Sequence, residues 1–167
     1  LDGYITDPAG TLDWGVPGPE TFAVAMDEVR GVGVHVMGRR LYETMLYWED
    51  AAETRDLDEA ELEWCELWNP LPKLVFSRTL TEVQGAARLA TGTVAEEIER
   101  LKAEPDEGDI AVGGADLAAQ AAAAGLIDEY RIRVMPVLLG GGRTMFPRDE
   151  ARVGLELVES RVLDGTN

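Results

Sequence analysis

The sequence predicts a three-layer α/β domain with a mostly parallel twisted sheet, helices on both faces and an antiparallel C-terminal hairpin. Short apolar runs alternate with segments of helical periodicity along most of the chain, and this alternation is typical of parallel strands joined by helices. Two later apolar runs flank a glycine triplet, which indicates a hairpin. With 167 residues, 46% of them hydrophobic, the chain can bury one core, so we expect a single domain over residues 1–167.

The first half of the chain alternates between helical and extended patterns. Valines 32, 34 and 36 alternate with small or polar residues and predict a strand. The stretch after residue 48 is acidic and contains no glycine or proline, which favours a surface helix or a lid. The predicted elements are helices over 21–30 and 39–48, the surface helix or lid over 49–66, and strands over 31–37 and 73–77.

The second half continues the alternation and then becomes extended. Pro105 and Gly108 end one helical pattern, and Gly125 follows an alanine-rich segment as a typical helix C-cap. The glycine triplet at 140–142 separates the last two apolar runs. The predicted elements are strands over 87–90, 109–112, 127–139 and 155–163, and helices over 94–102 and 115–124.

Charge and composition exclude several classes of protein. Fifteen basic against 32 acidic residues give a net charge of −17, which disfavours binding to nucleic acid or to an anionic membrane. No apolar run reaches the roughly 18 residues of a membrane span, and the chain does not open with a signal segment. We therefore expect a soluble, cytoplasmic protein. The chain lacks an initial methionine and ends on an Asp-Gly turn signal without a returning strand, so both ends look clipped.

Single copies of cysteine and histidine disfavour metal chemistry. Cys65 has no partner for a disulfide or a thiolate cluster, and one histidine cannot form a metal site of the usual kind. His35 lies within the valine-rich strand, where a core residue with satisfied hydrogen bonds is the simpler interpretation. We expect no metal.

Three strand exits carry groups suited to phosphate. Gly113-Gly114 ends one predicted strand and opens a helix, so backbone N–H groups can approach an anion. Gly38-Arg39-Arg40 and Ser77-Arg78-Thr79 follow two other strands and add guanidinium and hydroxyl donors. The carboxyl ends of parallel strands meet at one sheet edge, where open α/β sheets bind ligands. A simpler interpretation stays open at each exit: a tight glycine turn, or arginines that are solvated or pair with Glu43.

These motifs, in this order, resemble the dihydrofolate reductase-like superfamily, and most of all the reductase domain of the bifunctional riboflavin-biosynthesis deaminase/reductase and its stand-alone relatives. The resemblance covers essentially the whole chain. It is carried by the runs LDGYI at 1–5, VMGRRLYE at 36–43, SRTL at 77–80, VGG at 112–114, DEY at 128–130 and PVLLGGGRTMF at 136–146.

The resemblance implies an NADPH-dependent oxidoreductase with an eight-stranded sheet whose first strand is mostly missing before Leu1. It implies that the exit at 38–40 meets the cofactor phosphates and that the exit at 77–79 meets the adenosine 2′-phosphate. The exit at 113–116 would then form the pyrophosphate turn. The implied cofactor-binding residues are Gly38, Arg39, Arg40, Leu41, Ser77, Arg78, Thr79, Val112, Gly113, Gly114, Ala115, Asp116 and Leu117. Residues 2–14 would form a mobile loop beside the nicotinamide, and the candidates for the substrate pocket are Asp2, Tyr4, Trp14 and Trp48.

The substrate is less well specified than the cofactor. Leu41 replaces the usual threonine, and Tyr4 and Val112 replace the lysine and glutamate common in the riboflavin enzymes. No acid lies in residues 21–24, where folate enzymes have one. The best-named reaction is reduction of 5-amino-6-(5-phosphoribosylamino)uracil, without an assigned proton donor. The alternatives are a reductase of another pteridine-like or carbonyl substrate, a non-catalytic NADPH-binding module, and a plain hydrolase-like or sugar-binding domain. Relatives of this kind often dimerise, and the apolar edges after Ile127 predict a homodimer.

Overall fold

The computed structural model describes residues 1–11, 18–104, 108–147 and 152–163. Six α-helices, a short 3₁₀ segment and four strands follow one another along this part of the chain. In order they are α1 Pro19–Arg30, β1 Val32–Gly38, α2 Arg39–Met45, the 3₁₀ segment Leu46–Trp48, α3 Ala51–Thr54, α4 Glu59–Trp68, β2 Lys73–Phe76, β3 Ala87–Leu89, α5 Val94–Ala103, β4 Asp109–Gly113 and α6 Ala115–Ala123.

The chain forms two compact units, one of residues 25–128 and the other of residues 1–24 with 129–167. The first unit holds a four-stranded sheet in the order β3-β2-β1-β4, and every neighbouring pair is parallel. Val36 of β1 lies beside Leu74 of β2 and Val112 of β4. The predicted parallel α/β arrangement is confirmed for this unit.

Alternation along the strands separates two faces of the sheet. Val34, Val36 and Leu74 belong to one buried cluster with residues of α5 and α6. On the other face, the ring of His35 makes an edge contact with Trp68 of α4, with centroids 5.4 Å apart. Because successive strand residues point to opposite faces, one run of valines supplies the core while His35 faces α4. Helices therefore cover both faces, as predicted.

Local signals explain where the helices begin and end. Asp58 caps α4 and Thr93 caps α5, each in a reciprocal capping box with the glutamate three residues later. Gly125 follows α6 with φ of +70°, which confirms the predicted C-cap. These signals are local, which is why the sequence predicts α5 and α6 to within one residue.

The predicted surface helix or lid over 49–66 is instead two helices. The chain turns extended at Arg55 (φ −130°, ψ 156°) after the single turn of α3, and Asp58 then starts α4. An aspartate that caps a new helix takes a non-helical conformation, so Asp58 separates α3 from α4. Trp64 and Trp68 of α4 are buried, so this helix contributes to the core rather than only to the surface.

In the second unit, the amino-terminal segment pairs with the segment that follows the glycine triplet. Ile5 N–H donates to Arg143 O at 2.8 Å, and Met145 N–H donates to Gly3 O at 2.9 Å, which gives an antiparallel bridge between Tyr4 and Thr144. The triplet forms the predicted turn, with positive φ at its first and third glycines. Gly142 lies so close to the backbone of Thr6 that a side chain there would overlap it.

The two predicted C-terminal strands, over 127–139 and 155–163, are absent from the described residues. A strand needs a hydrogen-bonded partner as well as an apolar pattern, and between residues 135 and 145 the backbone forms hydrogen bonds with residues 1–5. The predicted eight-stranded sheet and C-terminal hairpin are therefore not found in the described ranges. These ranges contain four parallel strands and the isolated Tyr4–Thr144 bridge.

No helix in the described ranges is long and apolar enough to cross a membrane. The same residues contain no cluster of three or more His, Cys, Asp or Glu side chains placed to hold a metal ion.

Candidate functional site

The carboxyl ends of the four parallel strands meet at one edge of the sheet. The exits at 38–40, 77–79 and 113–116 follow β1, β2 and β4 and therefore lie along this edge, as the sequence predicts. The exit of β3, at residues 90–93, lies beyond that of β2. This edge is the candidate site.

Gly113 and Gly114 differ in what surrounds them. A Cβ at Gly113 would lie 2.5 Å from Leu41 Cδ2 and 2.8 Å from His35 Cε1, so this glycine permits internal packing. Gly114 has φ of +98° and no atom within 4 Å of the position a Cβ would take. It is also the N-cap of α6, where no side chain caps the helix. The open backbone of this exit is therefore Gly114.

The other predicted residues of this exit divide between core and edge. Leu117 is buried in the core cluster, and Val112 packs against that cluster, so their side chains serve packing. Ala115 and Asp116 lie in the first turn of α6, whose N–H groups have no partner within the helix. A ligand at this exit would meet backbone N–H groups rather than the side chain of Leu117.

The arginines at the edge are not equivalent. Arg39 Nη1 lies 2.9 Å from both carboxylate oxygens of Glu43 one turn along α2, so the simpler interpretation of this residue holds. Arg40 and Arg78 are exposed and form no ion pair with any residue in the described part of the chain. Gly38 is the extended N-cap residue of α2 and lies 4.0 Å, at its Cβ position, from Leu117.

The hydroxyl groups of the β2 exit shape its backbone. Ser77 Oγ accepts from the N–H groups of Thr79 and Leu80, at 3.1 and 2.9 Å. Thr79 Oγ1 lies 3.4 Å from the same oxygen. These bonds fold the chain into a tight turn directly after β2, which fixes the backbone of Arg78 between the two hydroxyl residues.

The substrate-pocket candidates are divided between the two units. Asp2 and Tyr4 belong to the unit of residues 1–24 and 129–167, Trp48 belongs to the other, and Trp14 lies outside the described residues. Asp2 accepts a hydrogen bond from Gly140 N–H at 2.8 Å, which holds the pKa of its carboxyl below the usual value. The Trp48 ring packs between Tyr47 and Trp64, with centroids 4.8 and 6.1 Å away.

The described part of the predicted mobile loop, residues 2–11, is held by hydrogen bonds. Asp7 accepts from the N–H and the hydroxyl of Thr11, at 2.8 and 2.7 Å, and its pKa is lowered by these bonds. The rest of that loop, from residue 12, lies outside the described residues.

A buried lysine at the amino end of β2 has no counterpart in the predicted site. Lys73 is buried, and its ammonium donates to the carbonyls of Trp68, Asn69 and Leu71 at the end of α4. Its pKa is lowered by burial, although Glu49, 3.6 Å away, acts in the opposite direction. This lysine closes the carboxyl end of α4.

His35 is half-buried on the α4 face of the sheet. The prediction that its hydrogen bonds are satisfied is wrong for Nδ1, which is buried without a hydrogen-bond partner among the described residues. Burial lowers the pKa of this imidazole to about 4. The nearby charge of Lys73 acts in the same direction, and a backbone hydrogen bond with Val36 acts against them. The imidazole is therefore neutral at neutral pH and packs directly beneath Gly113.

Glu97 is not among the site residues that the sequence predicts. Its carboxylate is fully buried on α5 and accepts bonds from Thr91 and Gly92. Burial alone would raise the pKa, but the hydrogen bonds from Thr91, Gly92 and Arg88 outweigh it and lower the pKa to about 2. The periodicity of α5 contained a signal, because position 97 falls on the same helical face as Val94, Ile98 and Leu101.

Comparison with known proteins identifies the family. The model of the RibD C-terminal domain matches residues 1–166. The chain belongs to the RibD C-terminal domain family. It is 29% identical over 161 residues to the uncharacterized protein YyaP of Bacillus subtilis strain 168. This alignment covers 96% of this chain and 83% of that protein.

A solved structure agrees with this assignment. The crystal structure of a protein from Shewanella sp. PV-4, named for riboflavin biosynthesis, is 31% identical, with a TM-score of 0.72. The alignment covers 98% of this chain and 87% of that one. The RibD C-terminal domain described here therefore has the dihydrofolate reductase-like fold that the sequence motifs indicate.

Proposed function

We propose that this RibD C-terminal domain is an NADPH-dependent reductase that transfers hydride to a carbonyl or imine carbon of a small heterocyclic or sugar-linked substrate. Family membership supports an oxidoreductase. One observation supports NADPH as the cofactor: Gly114, the unobstructed N-cap of α6, lies on the same sheet edge as Arg40 and Arg78. An unobstructed glycine at a helix N-terminus, on one edge with arginines that have no acidic partner among the described residues, suits a dinucleotide phosphate.

The residues of the edge fit NADPH by their chemistry. Gly114 admits a pyrophosphate close to the first N–H groups of α6, because no side chain stands in the way. Arg78 offers a charged donor to a 2′-phosphate, and Arg40 offers one to the phosphates on the neighbouring exit. Arg39 contributes less, since Glu43 already occupies its guanidinium.

The protein's part in the reaction is to position two reactants. A bound NADPH supplies the hydride. The sheet edge holds the phosphates and so fixes where the nicotinamide end can lie, which converts a bimolecular encounter into an oriented one. A net charge of −17 repels an anionic cofactor at long range, and the arginines at this edge offset that repulsion locally.

The substrate we favour is 5-amino-6-(5-phosphoribosylamino)uracil, a riboflavin precursor. Support comes from the family and from the Shewanella relative, which is named for riboflavin biosynthesis. Tyr4 and Val112 depart from the pattern of the riboflavin enzymes. This departure favours the second candidate, a reductase of another pteridine-like or carbonyl substrate on the same cofactor edge.

We further propose a cytoplasmic homodimer that binds neither nucleic acid nor membrane. The dimer is supported by a set of large apolar side chains that are more than 60% exposed in the unit of residues 1–24 and 129–167. They are Val134, Leu138, Val153, Leu155, Leu157, Val158 and Val162. Apolar area of this extent is typical of a surface that another chain covers. Light scattering at micromolar concentration should give twice the chain mass.

The decisive experiment mixes purified protein with NADPH and a panel of pyrimidine, pterin and quinone acceptors and follows the nicotinamide absorbance. Turnover with the phosphoribosylamino-pyrimidine supports the favoured substrate, and turnover only with another acceptor supports the second candidate. Cofactor binding without turnover on any acceptor would indicate a non-catalytic NADPH-binding module. Absence of NADPH binding would refute the proposal.

A further inference from the structure

The buried carboxylate of Glu97 accepts hydrogen bonds from the turn between β3 and α5. Its Oε1 accepts from Thr91 N–H, Thr91 Oγ1 and Gly92 N–H, at 2.9, 3.1 and 3.0 Å. Its Oε2 lies 3.2 Å from Arg88 Nη1, and Oε1 lies 3.1 Å from Arg100 Nη1. Five contacts to a fully buried carboxylate fix both the backbone of the turn and the two guanidinium groups.

This turn lies beside the β2 exit. Ala90 N–H donates to Val75 O at 2.9 Å, which continues the parallel ladder to the end of both strands. The turn that starts at Thr91 and the turn that starts at Ser77 therefore leave two neighbouring strands at the carboxyl edge of the sheet.

The same carboxylate decides which arginine is available there. Arg88 and Arg100 are both drawn to Glu97, whereas Arg78 forms no ion pair with a residue in the described ranges. Of these three arginines, Arg78 is therefore the one without a competing acid among the described residues.

We propose that Glu97 is a positioning residue for the adenosine end of the dinucleotide, and this inference rests on the proposed function. By holding the Thr91–Gly92 turn rigid beside Ser77 and Arg78, Glu97 preorganises one wall of the subsite that receives the adenosine 2′-phosphate. A wall fixed before binding lowers the ordering cost of the complex. The nicotinamide end, which the edge holds elsewhere, does not depend on this turn.

The test measures three ligands: NADPH, its adenosine-end fragment 2′,5′-ADP, and its nicotinamide-end fragment, reduced nicotinamide mononucleotide. Titration calorimetry gives affinities, and competition against NADPH gives the weak ones. Glu97→Gln should weaken NADPH and 2′,5′-ADP about tenfold, the effect of one well-formed hydrogen bond. Reduced nicotinamide mononucleotide should bind as before.

Two further variants make the test robust. Thr91→Val removes a hydroxyl that bonds Glu97 and leaves the charge in place, so it should shift the same two ligands in the same direction and by less. Arg100→Ala removes an ion pair to the same carboxylate without touching the turn, so all three affinities should stay unchanged. If Glu97→Gln does not fold, Thr91→Val decides alone.

The outcomes separate this inference from the function beneath it. If the unmodified protein binds NADPH and the variants of Glu97 and Thr91 bind all three ligands as it does, Glu97 has no positioning role. An equal loss for both fragments would show a general structural role and overturn the inference as well. If the unmodified protein does not bind NADPH, the proposed function fails, and this inference fails with it.

Discussion

Two turns at the same sheet edge satisfy their backbone in opposite ways. The turn from β3 to α5 is filled from within, by the capping box of Thr93 and Glu96 and by the buried carboxylate of Glu97. The turn from β4 to α6 has Gly114 as N-cap, with no side-chain cap and no atom near its Cβ position. The donors of the first turn are occupied by its own side chains, so it can form a wall, whereas the open space at Gly114 lets an anion approach the start of α6.

The largest expected effect lies in the filled turn. Glu97→Ala removes the charged acceptor shared by the N–H groups of Thr91 and Gly92 and by Arg88, so the free energy of unfolding should fall by about 4 kcal/mol. Denaturation with urea measures it. Glu99→Ala, on the exposed side of the same helix, is the matched control and should cost about 0.5 kcal/mol or less. A loss below about 1 kcal/mol for Glu97→Ala would contradict the role assigned to the carboxylate.

The pH dependence of stability should distinguish the two turns. The folded pKa of His35, beneath Gly113, is about 4, which is below the ordinary 6.5. The contribution of this residue to the free energy of unfolding is therefore present above pH 6.5 and is lost as the pH falls to about 4. The shift corresponds to about 3 kcal/mol. Glu97, with its folded pKa of about 2 against 4.5, loses its contribution only between about pH 4.5 and 2.

Unfolding measured from pH 7 to 4 checks this order. His35→Gln, which cannot titrate, should remove most of the pH dependence in that window. An unchanged slope in His35→Gln would show that other groups control it.

Packing under the open turn gives the next effect. Gly113→Ala places a methyl group 2.5 Å from Leu41 and 2.8 Å from His35, and overpacking of this kind should cost about 2 kcal/mol. Leu41→Ala in the same chain should restore part of that loss. Additive losses in the double variant, measured by thermal or urea unfolding, would argue against the contact.

Charge at the edge should separate two arginines. Arg78→Ala should weaken NADPH roughly tenfold and leave NADH nearly unchanged, because an ionic bond to the 2′-phosphate is lost. Arg39→Ala should change NADPH less, since Glu43 already holds that guanidinium. Titration of both cofactors at low and at high salt checks this, and the preference for NADPH should shrink as salt rises. Equal affinity of the unmodified protein for the two cofactors would refute the assignment.

The smallest effect on stability belongs to the open turn itself. Gly114 and Gly125 flank α6, both with positive φ and both with open space around them. Alanine at either position should therefore cost about 1 kcal/mol of backbone strain. Only Gly114→Ala should also weaken NADPH, about fivefold, because only its methyl group faces the proposed pyrophosphate. A similar loss of affinity in Gly125→Ala would assign the effect to strain alone.

The sequence predicts the parts of this molecule whose signals are local. Alternating valines define β1, capping residues define α5, and Gly125 ends α6 within a residue of its predicted position. The pattern over 127–139 is as clear as that of β1, yet the described residues form no strand there, because strand formation depends on a partner that a local pattern does not specify.

The candidate site divides along the same line. Which exits share an edge follows from parallel strands, so the sequence predicts it. That Gly113 serves packing and Gly114 stays open depends on the positions of Leu41 and His35, which are distant in sequence. Glu97 resembles the solvated acids around it in α5, and only its place among the apolar residues of that helix distinguishes it.

The aromatic layer beside His35 has an optical consequence. Trp64 and Trp68 stack with centroids 5.5 Å apart and planes at 13°, and Trp48 lies 6.1 Å from the first of them. Indoles at such separations are close enough to transfer excitation to one another, so the emission of each depends on its neighbours. The ring of His35 makes an edge contact with Trp68. The ultraviolet emission of these three residues is therefore a collective signal from one face of the sheet, recorded next to the imidazole that supports the proposed cofactor edge.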